Sequence, residues 1–130
     1  MHPGPPPPPR DVDTLRTRLR ADLTAAMKAR RPEAVSALRS ALAAIDNAEA
    51  VEAAAAPIEE SSPHVAGARE GLGAAEARRR VLSLDEVLAL LRAEVDERLA
   101  EADRYDARDQ AAAAGRLRDE AGVFAAFLAP

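Results

Sequence analysis

The sequence contains no cysteine, which excludes disulfide bonds, thiolate zinc sites and catalysis by a thiol. Aromatic residues are scarce as well, at 2% of the chain. Histidine occurs only twice, as His2 and His64, in segments where no periodic pattern would hold an imidazole in place. The roles of general base and nucleophile therefore fall to carboxylates and serines, and the sequence shows no catalytic constellation.

Signals for membranes and for nucleotide-binding loops are also absent. No apolar run is long enough to span a bilayer, and the N-terminal stretch MHPGPPPPPR lacks the apolar region of a secretory signal. Neither a P-loop nor a GxGxxG motif occurs. The formal net charge of −4 does not mark the whole chain as a nucleic-acid binder. We expect a cytoplasmic protein with no membrane partner and no cofactor.

The apolar residues predict helices. Hydrophobic residues make up 48% of the chain, but much of this share is alanine, which favours closely packed helices over sheet. Spacings of three and four give stripes at Leu15, Leu19, Leu23, Ala26 and Met27, and at Val35, Leu38, Leu42 and Ile45. Two more stripes contain Leu84, Val87, Leu88, Leu91, Val95, Leu99, Ala102 and Tyr105, then Leu117, Ala121, Phe124 and Leu128. We predict an all-α fold, an antiparallel bundle of about four helices.

Local signals predict where the helices begin. Asp13 or Thr14 is expected to cap the first helix, and Pro32 suits the first turn of the second. Ser83 and Glu86 form an S-x-x-E capping box directly before an apolar run, which predicts the start of the third helix.

The rest of the chain is expected to be flexible. Residues 1–13 are predicted to form a disordered proline-rich tail, with a ligand for SH3-type or WW-type domains as the alternative. Residues 14–130 are predicted to form one helical domain. Within it, residues 53–81 lose all periodicity and carry scattered proline and glycine, so we predict a long mobile connection between helices two and three.

Charge is unevenly distributed. Residues 14–31 carry six basic side chains against the single acid Asp22, whereas residues 83–106 carry eight acids against three arginines. Complementary packing of these helices is the simpler interpretation, because the basic residues scatter around the polar side of the helix. The alternative is a surface that faces phosphate groups. The candidate binding residues are Arg16, Arg20, Lys28, Arg31 and Arg39.

Three acids of the third helix, Glu94, Glu97 and Glu101, lie at i, i+3 and i+7. A carboxylate-bridged metal site would need Glu-x-x-His motifs on facing helices, and the sequence has none. We therefore interpret these acids as a solvated face and predict no metal site.

One carboxylate interrupts an apolar stripe. Glu49 follows Ile45 on the core face of the second helix, and Arg98 falls inside the stripe of the third. A lone charge facing a core is costly, and a guanidinium can hold a carboxylate with two hydrogen bonds. We predict that Glu49 and Arg98 pair and fix the helix register, with Arg39 as a rival partner for the acids of helix three. Otherwise, Glu49 marks the point where helix two leaves the core.

The segment LRADLTAAMKARRPEAVSALRSALAAIDNAEA resembles the N-terminal part of the GatB/YqeY family. Members share L-x-x-D-x-x-x-A-M-K, a short turn, and V-x-x-L-R-x-x-x-A-A-I-x-N-A-E. The matching residues are Leu19, Asp22, Ala26, Met27, Lys28, Val35, Leu38, Arg39, Ala43, Ala44, Ile45, Asn47, Ala48 and Glu49. The later segments SLDEVLALLRAEVDERLAEADRY and LRDEAGVFAAFLAP are similar to the family's following helices. The sequence departs from the family after Tyr105, where DARDQ replaces the usual A-G-R turn.

The resemblance implies a YqeY-like helical domain linked to tRNA-dependent amidotransferases, in which a related module is appended to the B subunit and helps to hold tRNA. It also implies the family's usual label, carbon–nitrogen ligase activity with glutamine as amide donor. Full-length relatives continue into a second small helical domain, so we expect this chain to correspond to their N-terminal half. We expect binding rather than catalysis, with tRNA or a tRNA-amidotransferase-type complex as partner. The alternative is a protein–protein adaptor that uses the groove between helices and has no RNA role.

Overall fold

The computed structural model describes residues 9–55 and 82–129, which form four α-helices and no strand. The helices are α1 (Val12–Lys28), α2 (Pro32–Ala55), α3 (Leu84–Asp106) and α4 (Ala111–Ala126). Short turns join α1 to α2 and α3 to α4, so these helices form two antiparallel hairpins. α2 packs against all three other helices, and α3 packs chiefly against α4. The predicted all-α bundle is confirmed for the described residues.

The core is built around α2. Large side chains from all four helices are fully buried in it, namely Leu15, Leu19, Ile45, Val87, Leu91 and Phe124. Burying each of them contributes about 1.5–3 kcal/mol relative to leaving it in water. Three alanines of α2, Ala34, Ala37 and Ala41, are buried beside them. Their small side chains allow the neighbouring helices to approach α2 closely.

The predicted stripes match the buried faces of the helices except at two large residues. Met27 is 50% exposed and Leu99 is 41% exposed, although both lie on predicted core faces. Ala102, the next member of the same predicted stripe, is fully buried. On α2 the buried face is wider than the predicted stripe and includes its alanines, because this helix has neighbours on several sides.

Two predicted boundaries require correction. Asp11 caps α1, since its carboxylate accepts a hydrogen bond from the Thr14 N–H at 2.7 Å. The helix therefore begins at Val12, inside the predicted tail 1–13, of which residues 1–8 lie outside the described part of the chain. The predicted connection 53–81 begins with three alanines that continue α2 as far as Ala55, as their high helix propensity favours. Its remaining residues lie outside the described part.

Two predicted helix starts are confirmed. Pro32 is the first residue of α2. At the start of α3, the Glu86 N–H donates to the Ser83 hydroxyl at 3.1 Å, and the Ser83 N–H donates to the Glu86 carboxylate at 2.9 Å. This reciprocal capping box satisfies two N–H groups that have no partner within the helix.

Both turns between paired helices contain a residue in the left-handed region, Arg30 with φ of 56° and Asp109 with φ of 59°. In the first turn, the Arg31 N–H donates to the Ala26 carbonyl at 3.0 Å, and an equivalent bond closes the second. These bonds belong to the Schellman motif, which reverses the chain abruptly at the end of a helix. Glycine usually occupies the left-handed position, because other residues are strained there by about 1–2 kcal/mol.

Candidate functional site

Arg16 does not lie on an open basic surface. Its Nη2 is 2.8 Å from Glu49 Oε1 and 3.1 Å from Asp46 Oδ1, and its side chain is only 14% exposed. Burial lowers the pKa of the Arg16 guanidinium, but the hydrogen bonds and charges of these two carboxylates raise it above its ordinary value. Arg16 therefore joins α1 to α2 and supplies no free charge to a ligand.

The predicted pair between Glu49 and Arg98 is wrong. Arg98 Nη1 is 2.7 Å from Glu94 Oε1 on its own helix, and Nε is 3.2 Å from Glu120 Oε1 on α4. The same guanidinium lies over the ring of Phe124, 4.3 Å from its centroid. Each charge thus finds its partner within its own hairpin, because paired helices share a longer contact than α2 shares with α3.

Complementary packing of the basic first helix on the acidic third is also not found. Among residues 9–55 and 82–129, no ion pair joins α1 to α3. The acids Asp103 and Asp106 of α3 instead bind Arg118 of α4. Every ion pair among the described residues therefore lies within a single hairpin.

A groove of about 630 Å³ lies at the α1–α2 turn, and Arg30, Arg31 and Arg39 line it. The rest of its lining is Pro32, Val35, Ser36 and Ser40, so no acidic residue of the described chain contributes. All three arginines are exposed, and none forms an ion pair with another described residue. We call this feature the cationic groove.

Local structure explains why these groups converge. Ser36, Arg39 and Ser40 share one face of α2, because residues three and four apart are neighbours on a helix. Arg30 and Arg31 are held at the start of this face by the Schellman turn. The first turn of α2 lies at the same end and adds the partial positive charge of the helix dipole.

The structure thus brings together two of the five predicted binding residues. Arg31 and Arg39 line the cationic groove, whereas Arg20 and Lys28 are exposed on α1 and do not line it. The prediction did not include Arg30, Ser36 and Ser40. The available signal for Arg30 was the Arg-Arg-Pro run directly before a helix. The signal for Ser36 and Ser40 was their i, i+4 spacing.

A larger cleft, of about 1100 Å³, adjoins the cationic groove and separates the α1–α2 hairpin from α4. Buried Leu38 and Phe127 line it, with mainly small side chains beside them, including Ala25, Ala29, Gly122 and Ala126. Its lining also includes the carboxylates Asp22, Glu33 and Asp119. Arg30, Arg31 and Pro32 belong to both cavities. We call this feature the interhairpin cleft.

The acids of α3 form no metal site in the described structure. No group of three or more potential ligands is placed to hold a metal ion within residues 9–55 and 82–129. Glu94 pairs with Arg98, and Glu101 pairs with Arg104. Two of the three acids are thus engaged by arginines, whereas Glu97 is exposed and pairs with no other described residue, as expected for a solvated face.

Comparison of the chain with family models, with curated proteins and with solved structures finds no match. The resemblance to the GatB/YqeY family therefore stays a prediction, carried by residues 19–49. Among the described helices, none combines the length and the apolar character that a membrane span needs.

Proposed function

We propose that this chain is a GatB/YqeY-like helical binding module that holds RNA, in the first instance tRNA, by its phosphates. The observation that carries the proposal is the cationic groove, in which three arginines that pair with no other described residue meet two serines in a chain of net charge −4. The sequence resemblance supports tRNA, or a tRNA-amidotransferase-type complex, as the partner. We attribute the family's label, carbon–nitrogen ligase with glutamine as amide donor, to such a complex and not to this chain alone.

The groups of the cationic groove suit a phosphate backbone. A guanidinium can donate two parallel hydrogen bonds to one phosphate, and a serine hydroxyl can donate a third. Between Pro32 and Ser40 the helix advances about 12 Å, the length of about three to four stacked nucleotides. The groove therefore has the length to follow a short stretch of one strand.

The backbone of Arg30 gives independent support. This residue adopts φ of 56°, where glycine would relieve the strain. Strained positions that keep a particular side chain are typical of functional sites. Here the strained residue directs a guanidinium to the cationic groove.

Titration with tRNA at two salt concentrations, about 50 and 200 mM, tests the proposal. We expect binding that weakens steeply with salt, and an Arg31→Gln/Arg39→Gln variant whose log–log salt slope is smaller by about 1.5. The matched control is Arg92→Gln/Arg116→Gln, which removes the same charge from two exposed arginines outside the groove. If both double variants bind tRNA equally, the cationic groove is not the site.

The alternative function is a protein–protein adaptor with no RNA role. The interhairpin cleft favours it, because alanine, valine and phenylalanine form much of its lining. An adaptor would bind its partner with little dependence on salt or on Arg31 and Arg39. The same titrations, repeated with a tRNA-amidotransferase-type protein complex, therefore separate the two functions.

A further inference from the structure

The interhairpin cleft and the cationic groove meet at one ridge. Arg30, Arg31 and Pro32 line both cavities, so an anion-binding groove and a cleft with both apolar and charged lining lie side by side. A ligand that fills both must carry a negative charge and, a short distance away, a flat or apolar group. A nucleotide has this composition, with its phosphate and its base joined through the sugar.

We propose that the interhairpin cleft receives an unpaired nucleobase while the adjoining phosphates lie in the cationic groove. The inference rests on the proposed function and adds the class of RNA that is bound, a single-stranded segment. In a duplex the bases remain stacked inside the helix, and only splayed-out bases can leave the path of their phosphates. A duplex would fill the cationic groove and leave the cleft empty.

The lining of the cleft suits a base. Leu38 and Phe127 provide an apolar floor, and the small residues beside them leave room for a planar ring. The guanidinium planes of Arg30 and Arg31 can stack on its face. Asp22 and Asp119 supply carboxylate oxygens, which accept hydrogen bonds from the amino groups of bases. The mixed charge of this lining suits a neutral, polar-edged ring better than an anion.

Two glycines of α4 provide a matched pair of variants. A Cβ added at Gly115 or at Gly122 meets no atom within 4 Å, so both positions accept a side chain. Both substitutions raise helix propensity, but only Gly122 lines the cleft. Gly122→Leu therefore fills the cleft, and Gly115→Leu is its control. Ala25→Leu, on the opposite wall, fills the cleft from α1.

The probes are a single-stranded RNA of about ten nucleotides, the same strand with abasic sites, and a duplex of that sequence. All carry the phosphates that the cationic groove needs. We expect the wild-type chain to bind the base-bearing strand about tenfold more tightly than the abasic strand. Gly122→Leu and Ala25→Leu should bring this ratio close to one without changing the abasic affinity. Gly115→Leu should keep the wild-type ratio.

The outcomes separate the two levels of the proposal. Equal binding of both strands by the wild-type chain, or a tenfold preference that survives both filling variants, overturns the base-binding inference and leaves phosphate binding in place. Tighter binding of the duplex than of the single strand has the same meaning. Failure of all three probes to bind at low salt overturns the proposed function itself.

Discussion

Arg16 of α1 and Glu49 of α2 form an ion pair of 2.8 Å in which each side chain is only 14% exposed. This pair explains why the apolar stripe of α2 ends on a carboxylate after Ile45: the neighbouring helix supplies a guanidinium at that point. Asp46, which binds the same Nη2 at 3.1 Å, is 66% exposed and contributes far less to a desolvated pair. The contact fixes how α1 and α2 align within their hairpin.

The pair should couple strongly in a double-mutant cycle with Arg16→Met and Glu49→Gln. Arg16→Met leaves Glu49 poorly solvated and without its ionic partner, and Glu49→Gln leaves Arg16 with only the exposed Asp46, so we expect each change to lower the free energy of unfolding by about 1–3 kcal/mol. The double variant should lose about 1–2 kcal/mol less unfolding free energy than the sum of the two single losses. Denaturant unfolding measures all four proteins. Asp46→Asn is the exposed control and should lose less than about 0.5 kcal/mol. Additive losses would contradict a direct pair.

Helical periodicity identifies the face that carries Glu49 but not the helix that meets this face. The prediction selected Arg98 from its position on an apolar stripe and did not consider Arg16 as the partner of Glu49. Hairpin geometry contains the missing information. Arg16 and Asp46 lie almost equally far in sequence from the Arg30 turn, so an antiparallel α1–α2 hairpin places them opposite each other. Chain connectivity through a short turn was therefore a better guide than a shared position on two apolar stripes.

Arg98 should stabilise the α3–α4 hairpin far more than an exposed arginine of the same helix. It binds Glu94 and Glu120 and covers the Phe124 ring, with 14% of its side chain exposed. We expect Arg98→Ala to lower the free energy of unfolding by about 2–3 kcal/mol, since it strands two carboxylates and uncovers the ring. Arg104→Ala removes an ion pair whose arginine is 59% exposed, and should change stability by less than about 0.5 kcal/mol. Similar losses in thermal or denaturant unfolding would rule out this distinction.

The local features of the fold were predictable, and the candidate site was only partly so. The capping box at Ser83 and Glu86 depends on four consecutive residues, and its prediction is confirmed. Arg31 and Arg39 were selected from charge alone, but their convergence requires the turn in which Arg30 adopts a left-handed conformation. Sequence patterns place glycine at such positions, so an arginine gives no signal of the left-handed conformation. The interhairpin cleft depends on how two hairpins meet, which no local pattern encodes.

The N-cap of α1 makes part of the stability dependent on pH. The hydrogen bond from the Thr14 N–H holds the pKa of Asp11 below its ordinary value of 3.8. A lowered folded-state pKa stabilises the fold fully above the ordinary value, and this contribution is lost as the pH falls through the folded-state pKa. Asp11→Asn keeps a capping oxygen without the charge. We expect the wild-type chain to have the higher melting temperature near neutral pH and to lose this advantage progressively as the pH falls below the ordinary pKa of 3.8. A difference that stays constant over this range would contradict the assignment.

The two left-handed residues allow stability to be separated from function. Arg30 and Asp109 close equivalent turns with φ of 56° and 59°, and only Arg30 lines the cationic groove. Replacing either by glycine removes strain from the folded state, although glycine also makes the unfolded chain more flexible. We expect Arg30→Gly and Asp109→Gly each to raise the free energy of unfolding by about 0.5–1 kcal/mol, with the smaller gain at Asp109, because aspartate tolerates this conformation better.

Affinity for tRNA should distinguish Arg30→Gly from Asp109→Gly. Arg30→Gly removes one phosphate contact, so we expect weaker binding at low salt and a log–log salt slope reduced by about 0.7–0.9. Asp109→Gly should bind tRNA as the wild-type chain does. If the Arg30→Gly protein is more stable but binds tRNA with unchanged affinity, Arg30 does not belong to the interface. If the Arg30→Gly protein is less stable than the wild-type chain, the arginine stabilises the turn and does not strain it. A gain in stability together with a loss of binding is the result expected if the turn retains its strain in order to place a guanidinium in the cationic groove.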